Sequence, residues 1–176
     1  TISSLGAGSN LTGDKTTVNT SEVELKTATY AAPSTSRIYS SAEQEIGRFA
    51  LTARNEVARV QSIVVNNGGT ATIQTIANST SSARLMATTD NVTWSEISST
   101  VTISSNTLTF SSMNDTIGKD VTKNYKVMLG VTSVDSNYGQ TAILTVLTGG
   151  VTVVRDSNST AITPSGSASL KTYTIG

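Results

Sequence analysis

Residues 47–69 read GRFALTARNEVARVQSIVVNNGG, and two conformations compete for them. An amphipathic helix can be drawn from Ala42 to Val60, capped by Ser40 or Ser41, with Ile46, Phe49, Ala50, Ala53, Val57 and Val60 on one side. Strands fit better. Phe49, Leu51 and Ala53 alternate, Val60, Ile63 and Val65 continue through a β-branched run, and Asn66-Asn67-Gly68-Gly69 offers the positive-φ residues of a hairpin before TATIQTIA resumes the alternation. A helix running into Val60 would leave only a stub to pair with that return strand. The stretch is therefore expected to form strands.

The flanks repeat this grammar. From Val18 to Thr29, VNTSEVELKTAT puts Val23, Leu25, Thr27 and Thr29 on one face and Glu22, Glu24 and Lys26 on the other, the period of a half-buried strand. Pro33 then starts a connection. Downstream, ARLMATT, VTWSEI, TVTIS, TLTFSS, NYKVMLGVTSV, TAILTVLT, VTVVR and SLKTYTI are separated by Asp90-Asn91, Ser105-Asn106, Ser136-Asn137 and Gly149-Gly150. Gly149-Gly150 reads as the clearest two-residue hairpin. About ten to twelve short strands at intervals of about ten residues imply an all-β fold, an antiparallel Greek-key sandwich. Ile143 and Thr145, opposed to Leu144 and Val146, mark a strand that is central or covered on both faces. Residues 1–17 show no period and read as an extension, so the expected organisation is an N-terminal segment, 1–29, followed by a sandwich domain, 30–176.

Composition narrows the function. Of 176 residues, 31 are Thr and 26 Ser, while twelve basic and twelve acidic residues cancel. Thr favours strands and Ser favours turns. Arg48, Arg54 and Arg59 form the densest basic group, but Glu43, Glu45 and Glu56 lie among them, which reads as a solvated face of mixed charge and not as a nucleic-acid footprint. No run approaches the roughly 18 apolar residues of a membrane span. The chain starts at Thr1 and not at Met; together with its Ser/Thr-rich, lightly charged make-up, this sets the expectation of a removed leader and an extracellular or cell-surface location.

Without His or Cys the usual general base, thiolate chemistry and disulfides are missing, and no serine lies in a Ser-x-x-Lys or Gly-x-Ser-x-Gly setting. Six Asp and six Glu permit carboxylate pairs, but eight scattered aromatics do not line a sugar-gripping cleft. The chain is expected not to be an enzyme and to need no cofactor. Asp135-Ser136-Asn137 and Asp115 with Asp120 could ligate calcium, though they read better as turn caps, since no Asp-x-Asp-x-Asp-Gly run is present. Trp94 reads as core filler beside the Asp90-Asn91 turn. A lysine crosslink among Lys26, Glu24 and Asn124 has no support from spacing. Six Asn-x-Ser/Thr sequons occur, at Asn10, Asn19, Asn78, Asn91, Asn114 and Asn158, against about four expected by chance.

Phe49-x-Leu51-x-Ala53, Val57 to Val60, Ile63, Val65, Asn67-Gly68, Ile76-Ala77-Asn78 and Leu85 form a pattern that resembles an Ig-like β-sandwich module of large cell-surface proteins in candidate-phylum and other bacteria. VELKTATYAAP ahead of the phenylalanine strand, and TLTF ahead of YKVMLGV, extend the resemblance over roughly residues 22–148. It implies structural or adhesive roles and no active site. The chain departs from the module in its N-terminal extension and in an extra C-terminal hairpin and strand. In that form it resembles subunits of extracellular, pilus-like filaments, in which an extended end of one copy completes the sheet of the next. The resemblance makes residues 1–29 the donor, with Ile2, Leu5, Val18, Val23 and Leu25 as plugs. The acceptor groove is expected along Val60, Ile63 and Val65 or along Ile143, Thr145 and Leu147. Copies of the same chain are the expected partners, with surface glycans as a further class. The rival readings are a stand-alone adhesion or carbohydrate-binding module, and a virion decoration or tail protein.

Overall fold

The computed structural model of the chain describes residues 20–28, 35–77, 82–131 and 134–176. The contested stretch is extended: β3 (Ser41–Arg54) and β4 (Ala58–Asn67) take it up. The helical spacing has a simple origin. From Phe49 to Ala53 every residue is buried, so β3 is apolar on both faces and its alternation is blurred. The two strands do not pair with each other. Asn55, at φ 71°, turns the chain between them and donates its backbone N–H to Asp120 Oδ1 at 3.1 Å.

The remaining strands are β1 (Glu22–Thr27), β2 (Arg37–Ile38), β5 (Ala83–Thr88), β6 (Ser95–Glu96), β7 (Thr100–Ser104), β8 (Thr107–Ser111), β9 (Asp115–Ile117), β10 (Thr122–Val131), β11 (Thr141–Arg155), β12 (Ala161–Ile162) and β13 (Ser165–Ile175). Ten of the thirteen strands form one path, β6-β5-β10-β3-β1-β13-β11-β4-β8-β7, with β2, β9 and β12 attached to β13, β4 and β11. The path curls so that β11 and β13 lie over β3. The fold is all-β, as the sequence implies. It is not purely antiparallel, because β13 runs parallel to both β1 and β2. Inward residues of both halves share one core, at whose centre Phe49 and Tyr125 stack with ring centroids 5.0 Å apart.

Two expected turns resolve differently. After Asn67 no strand returns; the chain enters a single helical turn, α1 (Ile73–Ile76), which buries Ile73 and Ile76. Asn67 explains the change of direction: its Oδ1 accepts the N–H groups of Gly69 and Ile143, each at 2.9 Å, and its amide donates to Ala71 O at 2.6 Å. Gly69 has to be glycine, since a Cβ there would lie 2.1 Å from Thr141 O. Thr72 then caps α1 by accepting the Thr75 N–H. Nor is Gly149-Gly150 a hairpin. Neither glycine takes a positive φ, and TAILTVLTGGVTVVR runs as one strand, β11, whose extra residues bulge between Val146 and Val151. By contrast, Ser105-Asn106 does join a hairpin, β7 to β8.

Candidate assembly surface

Strand β1 carries the part of the expected donor segment that the structure describes. It lies between β3, with which all six of its residues are in register, and β13, which it meets at Glu24↔Ser165 and Leu25↔Gly166. Val23 and Leu25 point inward and are fully buried, while Glu22, Glu24 and Lys26 line the outer side as the alternation requires. Polar contacts hold the rim. Asn55 Nδ2 donates to Thr20 O at 2.7 Å, Arg54 pairs with Glu24 at 3.0 Å, and Ser165 Oγ lies 3.4 Å from Glu22 Oε1. The ion pair is half-exposed and contributes little; burial of Val23 and Leu25 contributes about 1.5–3 kcal/mol each. Gly166, at φ 86°, admits β1: a Cβ there would lie 2.2 Å from Leu25 O.

The sequence assigns Val23 and Leu25 to an extension separate from the sandwich, and this is corrected. β1 is an internal strand of its own chain's sheet, because two apolar side chains in alternation find the slot beside β3. Ile2, Leu5 and Val18 lie outside the described residues. The acceptor groove is corrected as well. Val60, Ile63 and Val65 are buried in the core, and β4 is bonded to β11 on one side and to β8 and β9 on the other. β11 likewise lies between β4 and β13. Strands paired on both sides have no N–H or C=O row left for a third. Ile143 and Leu147 point outward and are exposed, with Thr145 half-buried between them, as the two-faced pattern of β11 implies. Leu147, Val64, Asn66 and Gly166 border a shallow cavity of about 510 Å³ at the β11 bulge. Gly166, Asn55 and Ser165 were not singled out in the sequence, although a lone glycine inside the alternating SGSASLKTYTI is the recognised mark of close backbone approach.

Charges sit where the sequence implies a mixed face. Arg48 pairs with Glu45, Arg59 with Asp156 at 3.6 Å, and Arg155 with Glu56 at 3.2 Å. Arg84 joins Glu43 and Glu96 on the outer side of β3, β5 and β6. Trp94 is half-buried and not core filler: the 89–94 loop folds over the outer face, Asn124 donates to Asn91 Oδ1 at 2.8 Å, and the Lys126 ammonium lies 4.6 Å from the indole centroid. Asp90 shapes that loop, and the N–H of Val92, the Thr88 hydroxyl and the N–H of Thr93 hold its carboxyl far below the usual range. Asn91, Asn114 and Asn158 are exposed; Asn10, Asn19 and Asn78 lie outside the described residues.

The candidate metal ligands are engaged by the protein itself. Asn137 is buried and accepts the Thr75 hydroxyl at 3.1 Å, and Asp120 accepts the Asn55 N–H. Asp115 lies in β9, yet both its oxygens are taken by β10: the Lys123 ammonium meets Oδ1 and the Tyr125 hydroxyl donates to Oδ2 at 2.6 Å. This trio ties the two halves of the curled sheet together. Burial, then the Asp115 charge, pushes the Tyr125 phenol well above its usual ionisation range. Tyr173 differs. It is buried in the core with no hydrogen-bond partner for its hydroxyl, and burial followed by the Glu45 charge pushes it up to about 12.

These two phenols make a paired prediction. Both keep their proton longer in the folded chain than in the unfolded one, so their contribution is full below pH 10.0 and declines above it, for Tyr173 as pH rises through about 12. Tyr173→Phe removes an unpartnered polar atom and should leave stability at pH 7 unchanged or raise it by up to ~1 kcal/mol, with a shallower alkaline decline. Tyr125→Phe should cost about 1–2 kcal/mol. Denaturant melts at pH 7 and thermal melts between pH 8 and 12 read both; a Tyr173→Phe loss as large as that of Tyr125→Phe would contradict the assignment.

No protein-family model matches the chain, and no curated protein does. Among solved structures it is similar to a protein described as "AvmM Catalyzes Macrocyclization in Alchivemycin A Biosynthesis", with 7% identity over 89% of this chain and 88% of that one at a TM-score of 0.40. So loose a likeness carries no argument about activity. Among the described residues no helix is long and apolar enough to cross a membrane.

Proposed function

We propose that the chain is a structural subunit of an extracellular filament or surface layer, joined to copies of itself by exchange of β1. One observation carries this reading: β1 is the link between the two halves of the strand path, so its withdrawal opens the edges of both β3 and β13 at once. An edge so opened is costly, and the β1 of another copy satisfies it with the contacts already present within one chain. The main-chain bonds, at ~1 kcal/mol net each, and the burial of Val23 and Leu25 make release slow once exchange has occurred. The location outside the cell rests on the Ser/Thr-rich, lightly charged composition and on the resemblance to surface modules.

The absence of native cysteine gives a clean test. Glu24 and Thr52 are register partners across β1 and β3, within disulfide reach for a strand pair. A chain carrying Glu24→Cys and Thr52→Cys, oxidised when dilute, should be stapled in its own slot and stay monomeric. Oxidised after concentration, it should give a ladder of covalent oligomers on a non-reducing gel, with filaments or sheets in negative stain. A single intramolecular band under both regimes would sink strand exchange. A monomer that instead retains polysaccharide would favour the adhesion reading.

A further inference from the structure

The two ends of the strand path are built differently. β6, at one end, is two residues long and carries Glu96, which is paired to Arg84. β7, at the other, is a five-residue strand, Thr100-Val101-Thr102-Ile103-Ser104, with no charge, proline or bulge, and among the described residues its backbone is paired only with β8. Short, charged or distorted edges are how proteins keep sheets from joining; β6 has two of these devices and β7 has none. The neighbouring strand, Thr107-Leu108-Thr109-Phe110-Ser111, is also uncharged, and α1 packs beside the Ser104 end of β7, the Gln74 N–H donating to Ser105 O at 3.2 Å.

β7 is incomplete on its inner face too. Val101 and Ile103 touch the core but stay half-buried, whereas Leu108 and Phe110 next door are fully buried. Its sequence is complementary to itself under a two-fold axis. Antiparallel pairing of β7 with a second β7 about Thr102 sets Val101 opposite Ile103 on the inner row. On the outer row it sets Thr100 opposite Ser104 and Thr102 opposite Thr102. Aliphatic therefore meets aliphatic and hydroxyl meets hydroxyl in every pair, the combinations that stabilise cross-strand neighbours.

We infer that β7 is a self-association edge: two copies join β7 to β7 about a two-fold axis, running their sheets together and completing the burial of Val101 and Ile103. This contact is separate from β1 exchange. In an assembly it supplies the lateral, isologous link that a head-to-tail chain lacks.

Charge at the exposed outer row tests it. Thr100, Thr102 and Ser104 all face solvent, so the variant Thr100→Lys/Thr102→Lys/Ser104→Lys and its Glu counterpart should fold like the parent, with matching thermal melts. Sedimentation equilibrium on the chain with β1 stapled in its own slot removes strand exchange from the measurement. The parent should dimerise with concentration. Each single-sign variant faces three like-charge pairs and should dimerise about tenfold more weakly or worse. An equimolar mixture of the Lys and Glu variants should restore dimers, now with one copy of each. A parent that stays monomeric at millimolar concentration, single-sign variants that dimerise like the parent, or a mixture that fails to recover would each overturn the inference. Failure of strand exchange leaves this measurement intact on the unstapled chain.

Discussion

Gly166→Val is expected to unseat β1 and cost at least ~4 kcal/mol, in a chain whose other glycines include positions that tolerate a side chain freely. Three effects add. A β-branched residue at φ 86° is strained by about 1–3 kcal/mol. Its Cβ would lie 2.2 Å from Leu25 O, and backbone on both sides cannot yield by a flexible tip. Relief comes by pushing β1 away from β13, which exposes Val23 and Leu25 at about 1.5–3 kcal/mol each. Gly149→Ala is the control. It sits on the β11 bulge with open space around its Cβ and no positive φ, so its effect should stay within about 0.5 kcal/mol. Denaturant melts of the two variants should therefore differ severalfold in midpoint shift. Equal, small losses would mean that β1 does not depend on the close approach at Gly166. Under the proposed function, Gly166→Val should also stop assembly, since the slot it spoils is the same whether β1 comes from its own chain or from another.

Asp115→Ala should be nearly as damaging, by about 3–5 kcal/mol, although it deletes no apolar contact. The carboxylate is buried and receives both the Lys123 ammonium and the Tyr125 hydroxyl. Removing it leaves a fully buried phenol without an acceptor and a mostly buried cation that keeps the Thr116 carbonyl, at 3.3 Å, but loses its carboxylate, and stranding buried partners costs more than the net worth of the bonds they made. The double variant Asp115→Ala/Lys123→Met should recover much of the loss by removing the stranded charge. Chemical denaturation of the single and double variants measures the coupling. Additive losses would show that Lys123 and Asp115 are independent, and a single-variant loss below about 1 kcal/mol would show that the trio does not hold β9 to β10.

Both sites turn on features that a linear reading captures only in part. The inward pair of Val23 and Leu25 is plain from alternation. That they face their own chain's core is not, because the alternating pattern says which side of a strand is apolar and nothing about which sheet, in which copy, it joins. Asp115 and Tyr125 are ten residues apart on different halves of the sheet, and no local pattern marks their contact. The contested stretch is a similar case: β3 mimics helical spacing because it is covered on both faces, and coverage is a property of the neighbours. Gly149-Gly150 has the composition of a hairpin, yet in β11 the ladder to β4 on one side and β13 on the other keeps the strand running through it.

By itself the sequence determined the local chemistry: an all-β chain from its short alternating runs, a face of mixed charge from interleaved Arg and Glu, and inward rows at Val23, Leu25, Phe49 and Leu51. These follow from side-chain period and composition, which are local quantities. Only the tertiary structure decided that β13 runs parallel to β1, that β4 and β11 are paired on both sides, that β1 links the two halves of the path and that β7 ends it among the described residues. Pairing partners lie far apart in the chain, and which edge meets which is fixed by burial of the whole core at once.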